Sequence, residues 1–461
     1  MQKILAIAWL TWKAAFRFRL FLVIAVLLLL AVVGLPVLVK GDGTARGFAQ
    51  ILITYTLSAI TALLGFSTLW LSCGTLARDV EECQIQVVAT KPVARWQIWL
   101  GKWLGVVSLN AVLLVLSGAS VYGLLQWRAA RLPAAEREIL RTQVLVARGE
   151  AKAPDFHARI DVQTEQLLRE RLKQAQVANA DLSEVRRQIH SQVEANYEVV
   201  PPGYTREWQI DLGLAAKFLR DQPLQLRVKF NAAQASPSGT FVGQWRVGPL
   251  GTANAWYSGP MSLAPNTYHE ISIPPNLFDN QGVLTVSFAN PNDTTLLFPL
   301  NDGIAVLYPQ GSFTLNFARG LGIILCWMAL LAALGLLAAS FLSFPVAAFF
   351  SLALLIVVLS SGVMAEVVSS GTILGSNGQP TPLQQFFTSS VMIPIYQGML
   401  TVINLAKDFS PIDALSSGRS IPWSELGLAF VQIVLVLGGI LAVIGIFLFS
   451  RRELATAQGN G

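Results

Sequence analysis

The sequence contains few charged residues. Asp, Glu, Lys and Arg make up 13% of its 461 residues, whereas hydrophobic residues make up 53%, and the mean hydropathy is +0.53. In soluble domains roughly a quarter of the residues are charged. The composition therefore excludes an ordinary soluble protein and indicates that much of the chain lies in a membrane.

Residue types that build reactive sites are also scarce. The cysteines and histidines are Cys73, Cys83, Cys326, His157, His190 and His269. Their spacing matches neither a disulfide framework nor a zinc site. The sequence also lacks His-Glu-x-x-His, a nucleophile elbow and a P-loop. We therefore expect no catalytic residues, no metal and no directly bound cofactor, and we do not expect this chain to hydrolyse ATP itself.

Several long stretches contain no charged residue. They are residues 20–39, 47–77, 103–127, 320–365 and 426–450. Each is at least as long as the roughly 20 residues that a helix needs to cross the hydrocarbon of a bilayer. Pro345 divides the fourth and longest stretch, because proline disfavours helix at the residue before it. The pattern predicts six membrane-spanning helices.

An even number of spans places both termini on the same side of the membrane. Basic residues precede the first span and follow the last: Lys3, Lys13, Arg17, Arg19, Arg451 and Arg452. Positive residues favour the cytoplasmic side, so we expect both termini in the cytoplasm. Residues 73–102, between the second and third spans, then lie in the cytoplasm, and residues 128–318 lie outside.

We expect an α-helical polytopic membrane protein with an inserted extracytoplasmic α+β domain. Over residues 133–198 apolar residues recur at helical spacing, which predicts a helical stalk. Over residues 200–316 the period changes to two, which predicts a β-sandwich. Seven or eight short strands are expected, with strand-like runs such as residues 207–212, 224–230, 241–247, 268–273, 283–289 and 303–308.

The remaining segments complete the predicted topology. Residues 1–19 are expected to form an amphipathic helix at the membrane interface, with Trp9 and Trp12 at headgroup depth; the alternative is a cytoplasmic extension of the first span. Residues 20–127 hold spans one to three, and residues 319–454 hold spans four to six. Within the latter, residues 367–424 are expected to form re-entrant or amphipathic helices, and residues 455–461 a cytoplasmic tail.

The predicted spans carry no charged residue at mid-depth, which argues against an ion-coupled pump. The second and third spans do carry polar residues. Candidates for a translocation path are Thr54, Ser58, Thr61, Asn110 and Ser117. Ser and Thr also form ordinary packing contacts between membrane helices, and both interpretations stay open.

The stretch DVEECQIQVVATKPVARWQIWLGKWLG, residues 79–105, mixes acids, bases, a proline and tryptophans. It resembles the region between the second and third spans of type-2 ABC transporter permeases. The matching positions are Asp79, Glu81, Lys91, Pro92, Val93, Arg95, Gly101 and Lys102. Cys83 and Gln84 stand where the family has Gly-Thr, and Ala94 stands where it has Ser.

A second stretch resembles the same family. FSPIDALSSGRSIPWSELGLAF, residues 409–430, precedes the last predicted span, and FSRREL, residues 449–454, follows it. Together the two matches extend the resemblance over residues 1–127 and 319–454. The resemblance does not include the inserted domain.

The resemblance implies that residues 73–102 form a coupling segment that docks on a separate ATPase subunit. The implied docking residues are Asp79, Glu81, Glu82, Lys91, Pro92 and Arg95, and the implied membrane-interface anchors of the third span are Trp96, Trp99 and Trp103. The implied assembly is an exporter of the bacterial inner membrane. It contains two permease chains, identical or different, and two ATPase subunits that hold ATP and Mg. The alternative is a cytoplasmic loop with interfacial tryptophans and no partner.

The inserted domain leaves part of the function open. Trp208, Trp245 and Trp256 are candidates for an outer ligand site, or they belong to the core of the sandwich. The domain is also a candidate surface for a partner in the periplasm or cell envelope. Two other functions remain as hypotheses: an ATPase-coupled scaffold that transmits motion without transport, and a membrane-tethered glycan-binding protein. Membrane lipid is an expected partner and nucleic acid is not.

Overall fold

The computed structural model describes residues 2–17, 20–38, 44–82, 93–173, 182–249, 255–370, 392–407 and 409–452. The chain forms two compact units. The apolar unit comprises Met1–Ala147 and Gly311–Gly461, and the inserted unit comprises Arg148–Gln310. Residues 128–147 and 311–318, which the sequence analysis assigned to the inserted domain, thus belong to the apolar unit.

Helices account for most of the apolar unit. In chain order the described α-helices of the whole molecule are α1 (Gln2–Arg17), α2 (Leu20–Leu38), α3 (Ala45–Glu81), α4 (Arg95–Ala130), α5 (Ala134–Gln143), α6 (His157–Lys173), α7 (Leu182–Glu198), α8 (Ala216–Leu219), α9 (Phe313–Phe341), α10 (Phe344–Leu359), α11 (Ser361–Ser370), α12 (Ile393–Lys407), α13 (Pro411–Ser416), α14 (Trp423–Ala429) and α15 (Gly438–Arg451). A π-helical stretch, Phe430–Leu437, joins α14 to α15 without a break.

Four of the described helices are long and apolar enough to cross a membrane. They are Gly47–Glu81, Arg95–Ala130, Phe313–Phe341 and Trp423–Arg451. The other two predicted spans correspond to α2 and α10, whose apolar parts, Val23–Leu35 and Phe344–Leu359, are shorter than the roughly 20 residues of a full span. The structure thus supports a membrane-embedded chain, and the count of six spans stays a prediction.

The long apolar stretch is interrupted next to Pro345, as predicted from the sequence. Helix α9 ends at Phe341, and α10 begins at Phe344 with Pro345 in its first turn. Proline fits the first turn of a helix because its missing N–H would have no partner there. Downstream, α12 and α13 lie within the segment 367–424, whereas residues 371–391 and the predicted tail 455–461 lie outside the described residues.

Glycines bring the helices of the apolar unit close together. A Cβ on Gly335 of α9 would lie 2.7 Å from the Cβ of Ser72 on α3, and a Cβ on Gly105 of α4 would lie 2.7 Å from the Cβ of Thr11 on α1. Small residues let helix backbones approach in this way. Helix α1 therefore packs one face against α4, while its opposite face exposes Leu5, Trp9, Leu10 and Phe16.

The inserted unit is built around antiparallel sheets. In its described residues the strands are β1 (Val146–Lys152), β2 (Val199–Val200), β3 (Thr205–Asp211), β4 (Leu224–Val228), β5 (Asn231–Ala232), β6 (Phe241–Val247), β7 (Trp256–Leu263), β8 (His269–Ile273), β9 (Val283–Ala289), β10 (Leu296–Leu297) and β11 (Ile304–Ser312). Two sheets have four strands, in the orders β1-β11-β4-β8 and β3-β9-β6-β7, and a small third sheet has the order β2-β10-β5.

Side chains from both four-stranded sheets share one core. Leu226, Val228 and Val306 come from the first sheet, and Trp245 and Phe288 come from the second. Two sheets that bury their inner faces against each other form a sandwich. Each of the six strand-like runs named from the sequence overlaps a strand, whereas no run was named for β1, β2, β5, β7 or β10.

The predicted helical stalk is interrupted. Helix α5 ends at Gln143 and is followed by β1, which joins the first sheet. Helices α6 and α7 then form a hairpin that buries Ile160, Ile189 and Val193 between them. Residues 133–198 are therefore two helical parts separated by a strand.

A buried ion pair connects the two edge strands of the first sheet. Arg148 on β1 donates two hydrogen bonds to Glu270 on β8, of 2.7 and 3.0 Å, and its guanidinium also contacts the side-chain oxygen of Gln225. The side chains of Arg148 and Glu270 are 2% and 4% exposed. Breaking such a pair by removing one partner is costly, because the remaining charge stays buried.

We expect Arg148→Met to lower the free energy of unfolding of a fragment covering residues 146–312 by roughly 3–5 kcal/mol, because Glu270 loses its bidentate partner. Replacing both residues, Arg148→Met with Glu270→Leu, should restore much of this loss. Chemical denaturation followed by tryptophan fluorescence measures both effects. The exposed Lys173→Met serves as the control, and a double variant less stable than the single one would contradict the interpretation.

Candidate functional site at the ends of the apolar helices

The residues that the sequence analysis assigned to docking lie around the ends of long helices. Asp79 and Glu81 occupy the last turn of α3, and Arg95 is the first residue of α4. Glu82, which follows α3, is exposed. Lys91 and Pro92 lie outside the described residues, as do all of residues 83–92. Glu81 and Arg95 lie on either side of residues 83–92.

A lysine of α4 pairs with the end of α3. The Lys102 ammonium lies 2.5 Å from a carboxylate oxygen of Asp79 and donates to the carbonyl of Thr75, also at 2.5 Å. The Lys102 side chain is buried, whereas that of Asp79 is partly exposed. A buried ammonium needs such partners, since an unpaired charge in an apolar environment is strongly unfavourable. The pair joins α3 to α4.

Glu81 contacts the start of another helix. Its Oε1 atom accepts a hydrogen bond of 2.9 Å from the backbone N–H of Phe344, the first residue of α10. Ser343, at the N-cap position, makes no side-chain capping bond. The carboxylate of Glu81 therefore serves as the cap, and its negative charge suits the positive end of the helix dipole.

The first aromatic ring of α10 strengthens this contact. The ring of Phe344 packs edge-on against Trp70 at 5.2 Å between centroids. The guanidinium of Arg78 lies 4.4 Å from the centroid of the same ring. Because Trp70 and Arg78 both belong to α3, the start of α10 is held by aromatic and cation–π contacts as well as by the cap.

Arg95 caps the end of the last helix. Its Nη1 atom donates to three backbone carbonyls, those of Phe449 at 2.9 Å, Ser450 at 2.7 Å and Arg452 at 2.9 Å. The last carbonyls of a helix have no partner within the helix, and a cation there also complements the helix dipole. One side chain at the start of α4 thus holds the end of α15.

Arg452 extends the same connection to α9. Its Nη1 atom donates to the carbonyls of Ala339 at 3.1 Å and Ser340 at 3.4 Å, in the last turn of α9. We name the set Asp79, Glu81, Arg95, Lys102 and Arg452 the helix-end junction. It connects the ends of α3, α4, α9, α10 and α15 by hydrogen bonds and ion pairs.

The predicted tryptophan anchors have different surroundings. Trp99 is fully buried and packs against Gly445 of α15, where an added Cβ would lie 2.9 Å from its Nε1 atom. It belongs to a core with Leu76, Leu336 and Phe449. Trp99 therefore packs between helices of the chain and does not face a membrane surface.

The other four tryptophans are at least partly accessible. Trp9 and Trp96 are exposed. Trp12 donates to the hydroxyl of Ser108 at 2.8 Å, and Trp103 donates to the carbonyl of Ala329 at 3.0 Å. Half-buried tryptophans with a satisfied N–H are compatible with an interfacial position.

The candidate path residues do not share one environment. Asn110 and Ser117 are buried and donate to carbonyls of their own helix, at 3.0 Å to Val106 and 2.8 Å to Leu113. Thr54 and Thr61 are half-buried and Ser58 is exposed. The two polar groups of α4 are thus satisfied as in ordinary helix packing, and the path assignment remains a hypothesis.

The candidate outer ligand site is not an exposed platform. Trp208 and Trp245 are buried in the sandwich core. The ring of Trp245 lies 4.6 Å from that of Phe288, and the ring of Trp208 lies 5.3 Å from that of Phe298. Trp256 is half-buried. Of the two interpretations of these residues, the structure supports the core for Trp208 and Trp245.

A metal site was also considered in the described part of the chain. There, no group of three or more His, Cys, Asp or Glu side chains is placed to hold a metal ion. Comparison with known protein families, with curated proteins and with solved structures gave no match. Among the described residues, the helix-end junction combines several charged side chains with the ends of long helices.

We expect Arg95→Ala to accelerate backbone hydrogen exchange in residues 445–452 by at least about tenfold, because the carbonyls at the end of α15 lose a charged donor. Arg95→Lys should have a smaller effect, since an ammonium keeps the charge but not the fork of donors. Exchange measured by mass spectrometry on the purified chain tests this. The exposed Arg169→Ala is the control, and unchanged exchange in Arg95→Ala would contradict the capping role.

Proposed function

We propose that the chain is the permease subunit of an ATP-driven ABC exporter of a bacterial inner membrane. Two permease chains would assemble with two separate ATPase subunits, which bind ATP and Mg, and six spans would place both termini in the cytoplasm. The observation that supports this proposal most directly is that Glu81 and Arg95, which lie on either side of the segment 83–92, are hydrogen-bonded to the backbone of other helices.

A segment anchored in this way can transmit force. Glu81, on the N-terminal side of the segment, is hydrogen-bonded to α10, and Arg95, on its C-terminal side, is hydrogen-bonded to α15. A force applied through Glu81 and Arg95 would therefore act on the ends of four helices, α3, α4, α10 and α15. This is the mechanical property that a coupling segment requires if an ATPase is to act on membrane helices.

The distribution of charge supports an external energy source. Asp79, Glu81 and Lys102 lie near helix ends, and the predicted spans have no charged residue at mid-depth. Ion-coupled carriers usually keep ionisable groups within the membrane. A chain without them depends on another source of energy, and a partner ATPase supplies it in the proposed assembly.

The structure also changes which residues are proposed to dock. Asp79, Glu81 and Arg95 have partners within the chain. We therefore assign contact with the ATPase to residues 83–92, which include Lys91 and Pro92. Asp79, Glu81 and Arg95 would transmit the movement instead of making the contact.

One observation favours a second candidate function. Strand β11 ends at Ser312 and α9 begins at Phe313, so no loop residue separates the sheet from an apolar helix. Such continuity suits an ATPase-coupled scaffold that works the inserted unit mechanically without moving a substrate. Export measured in proteoliposomes distinguishes the two functions, because a permease moves a substrate across the membrane and a scaffold does not.

Docking and transmission are expected to respond to different substitutions. Lys91→Glu should weaken binding of the partner ATPase at least about tenfold, since a reversed charge opposes a complementary surface. Arg95→Gln should leave the ATPase affinity within about threefold, yet abolish ATP-dependent export, because the end of α15 is released. Titration of the ATPase with the reconstituted chain and a transport assay measure the two quantities.

Lys152→Glu, a charge reversal on β1 of the inserted unit, is the matched control for Lys91→Glu. A second variant has residues 83–92 replaced by Gly and Ser. Normal ATPase binding by both this variant and Lys91→Glu would overturn the docking proposal. Full ATP-driven export by Arg95→Gln would overturn the transmitting role of the helix-end junction.

A further inference from the structure

Two large apolar side chains protrude from the inserted unit. Leu214 and Phe218, between β3 and β4, are 83% and 79% exposed, whereas the large apolar residues of the neighbouring strands lie in the sandwich core. They are four residues apart on a short helical turn, so they lie on the same face. We name this pair the apolar tip.

The turn that carries the apolar tip is firmly held. Its other face buries Leu212, Ala216 and Leu219 in the sandwich core. The carboxylate of Asp211 accepts a hydrogen bond of 2.7 Å from the N–H of Gly213, which adopts a φ of +55°. The tip is therefore displayed by a defined structure and not by a loose loop.

The strand register fixes the position of the tip within the inserted unit. Residues 212–219 precede β4, which begins at Leu224, and Gln225 of β4 pairs with Leu307 of β11. From Leu307, β11 continues to Ser312, and α9 follows at Phe313. The tip thus lies at the end of the sheet from which the chain continues into an apolar helix.

We propose that the apolar tip inserts into the headgroup region of the membrane that holds the apolar helices. Exposed Leu and Phe next to basic residues are typical of segments that enter a membrane surface, and the exposed Lys217 lies between the two tip residues in the sequence. Its long side chain can bury its methylene groups while the charge meets lipid phosphates. A convex pair of side chains suits a deformable lipid surface better than a rigid partner.

This inference does not depend on the proposed export function. It requires only that the apolar helices are embedded in a bilayer. The binding surface is lipid, and its chemistry is a phosphate-bearing headgroup layer above hydrocarbon. Buried Leu212, Ala216 and Leu219 are separate from the two exposed residues, so the tip can be altered without removing the packing beneath it.

An environment-sensitive fluorophore attached at Leu214→Cys or Phe218→Cys tests the proposal in the full-length chain, in a background carrying Cys83→Ser. Ala235→Cys is the control, since Ala235 is exposed and follows β4 at its opposite end. In vesicles of phosphatidylethanolamine and phosphatidylglycerol, a headgroup-level nitroxide lipid should quench the labels at 214 and 218 at least about threefold more than the label at 235.

Equal quenching at all three positions would overturn the proposal. Labels at 214 and 218 that are shielded from water, but not quenched by the nitroxide lipid, would also overturn it, because the tip would then contact protein, such as a second copy of this chain. Neither result depends on an ATPase, so failure here is distinguishable from failure of the export proposal.

Discussion

A helix that ends in apolar surroundings leaves backbone N–H or C=O groups without partners, and these groups must be satisfied from elsewhere. Arg95 donates hydrogen bonds to three backbone carbonyls at the end of α15, and Glu81 accepts one from a backbone N–H at the start of α10. Both residues lie beside the segment 83–92. The same hydrogen bonds that complete the helix ends therefore also hold Glu81 and Arg95 against other helices of the apolar unit.

The packing around the helix-end junction has the same consequence. Trp99 fills the space between α4 and α15 because Gly445 has no side chain, and Lys102 is neutralised by Asp79 one turn further along α4. Apolar contacts, an ion pair and helix caps thus join the same helices at one end. Such a set moves as a unit more readily than it separates, since separation would break several hydrogen bonds and an ion pair at once. The proposed coupling by an ATPase depends on this property.

Part of this arrangement follows from the sequence. Uncharged stretches located the long helices, and alternating runs located six strands, because both patterns are local. Strand β7 was missed since it contains Gly259 and Pro260, which an edge strand tolerates, and β1 was missed because its polar residues resemble the neighbouring helices. The contacts of Arg95 could not be predicted: its partner Phe449 lies 354 residues away. Likewise, no local pattern distinguishes an interfacial tryptophan from Trp99, whose ring is buried in the space that Gly445 on another helix leaves open.

Coupling to the proposed ATPase requires that the helix-end junction keeps Glu81 and Arg95 at a constant distance from the end of α15. Spin labels at Glu82 and Ser450 measure this distance by pulsed electron resonance in the chain bound to the proposed ATPase, without nucleotide and during ATP hydrolysis. The expected result is one narrow distance distribution whose mean is the same in both states, while the distance between the Ser450 labels of two copies of the chain changes. A distribution between Glu82 and Ser450 that shifts or broadens when ATP is added would contradict it.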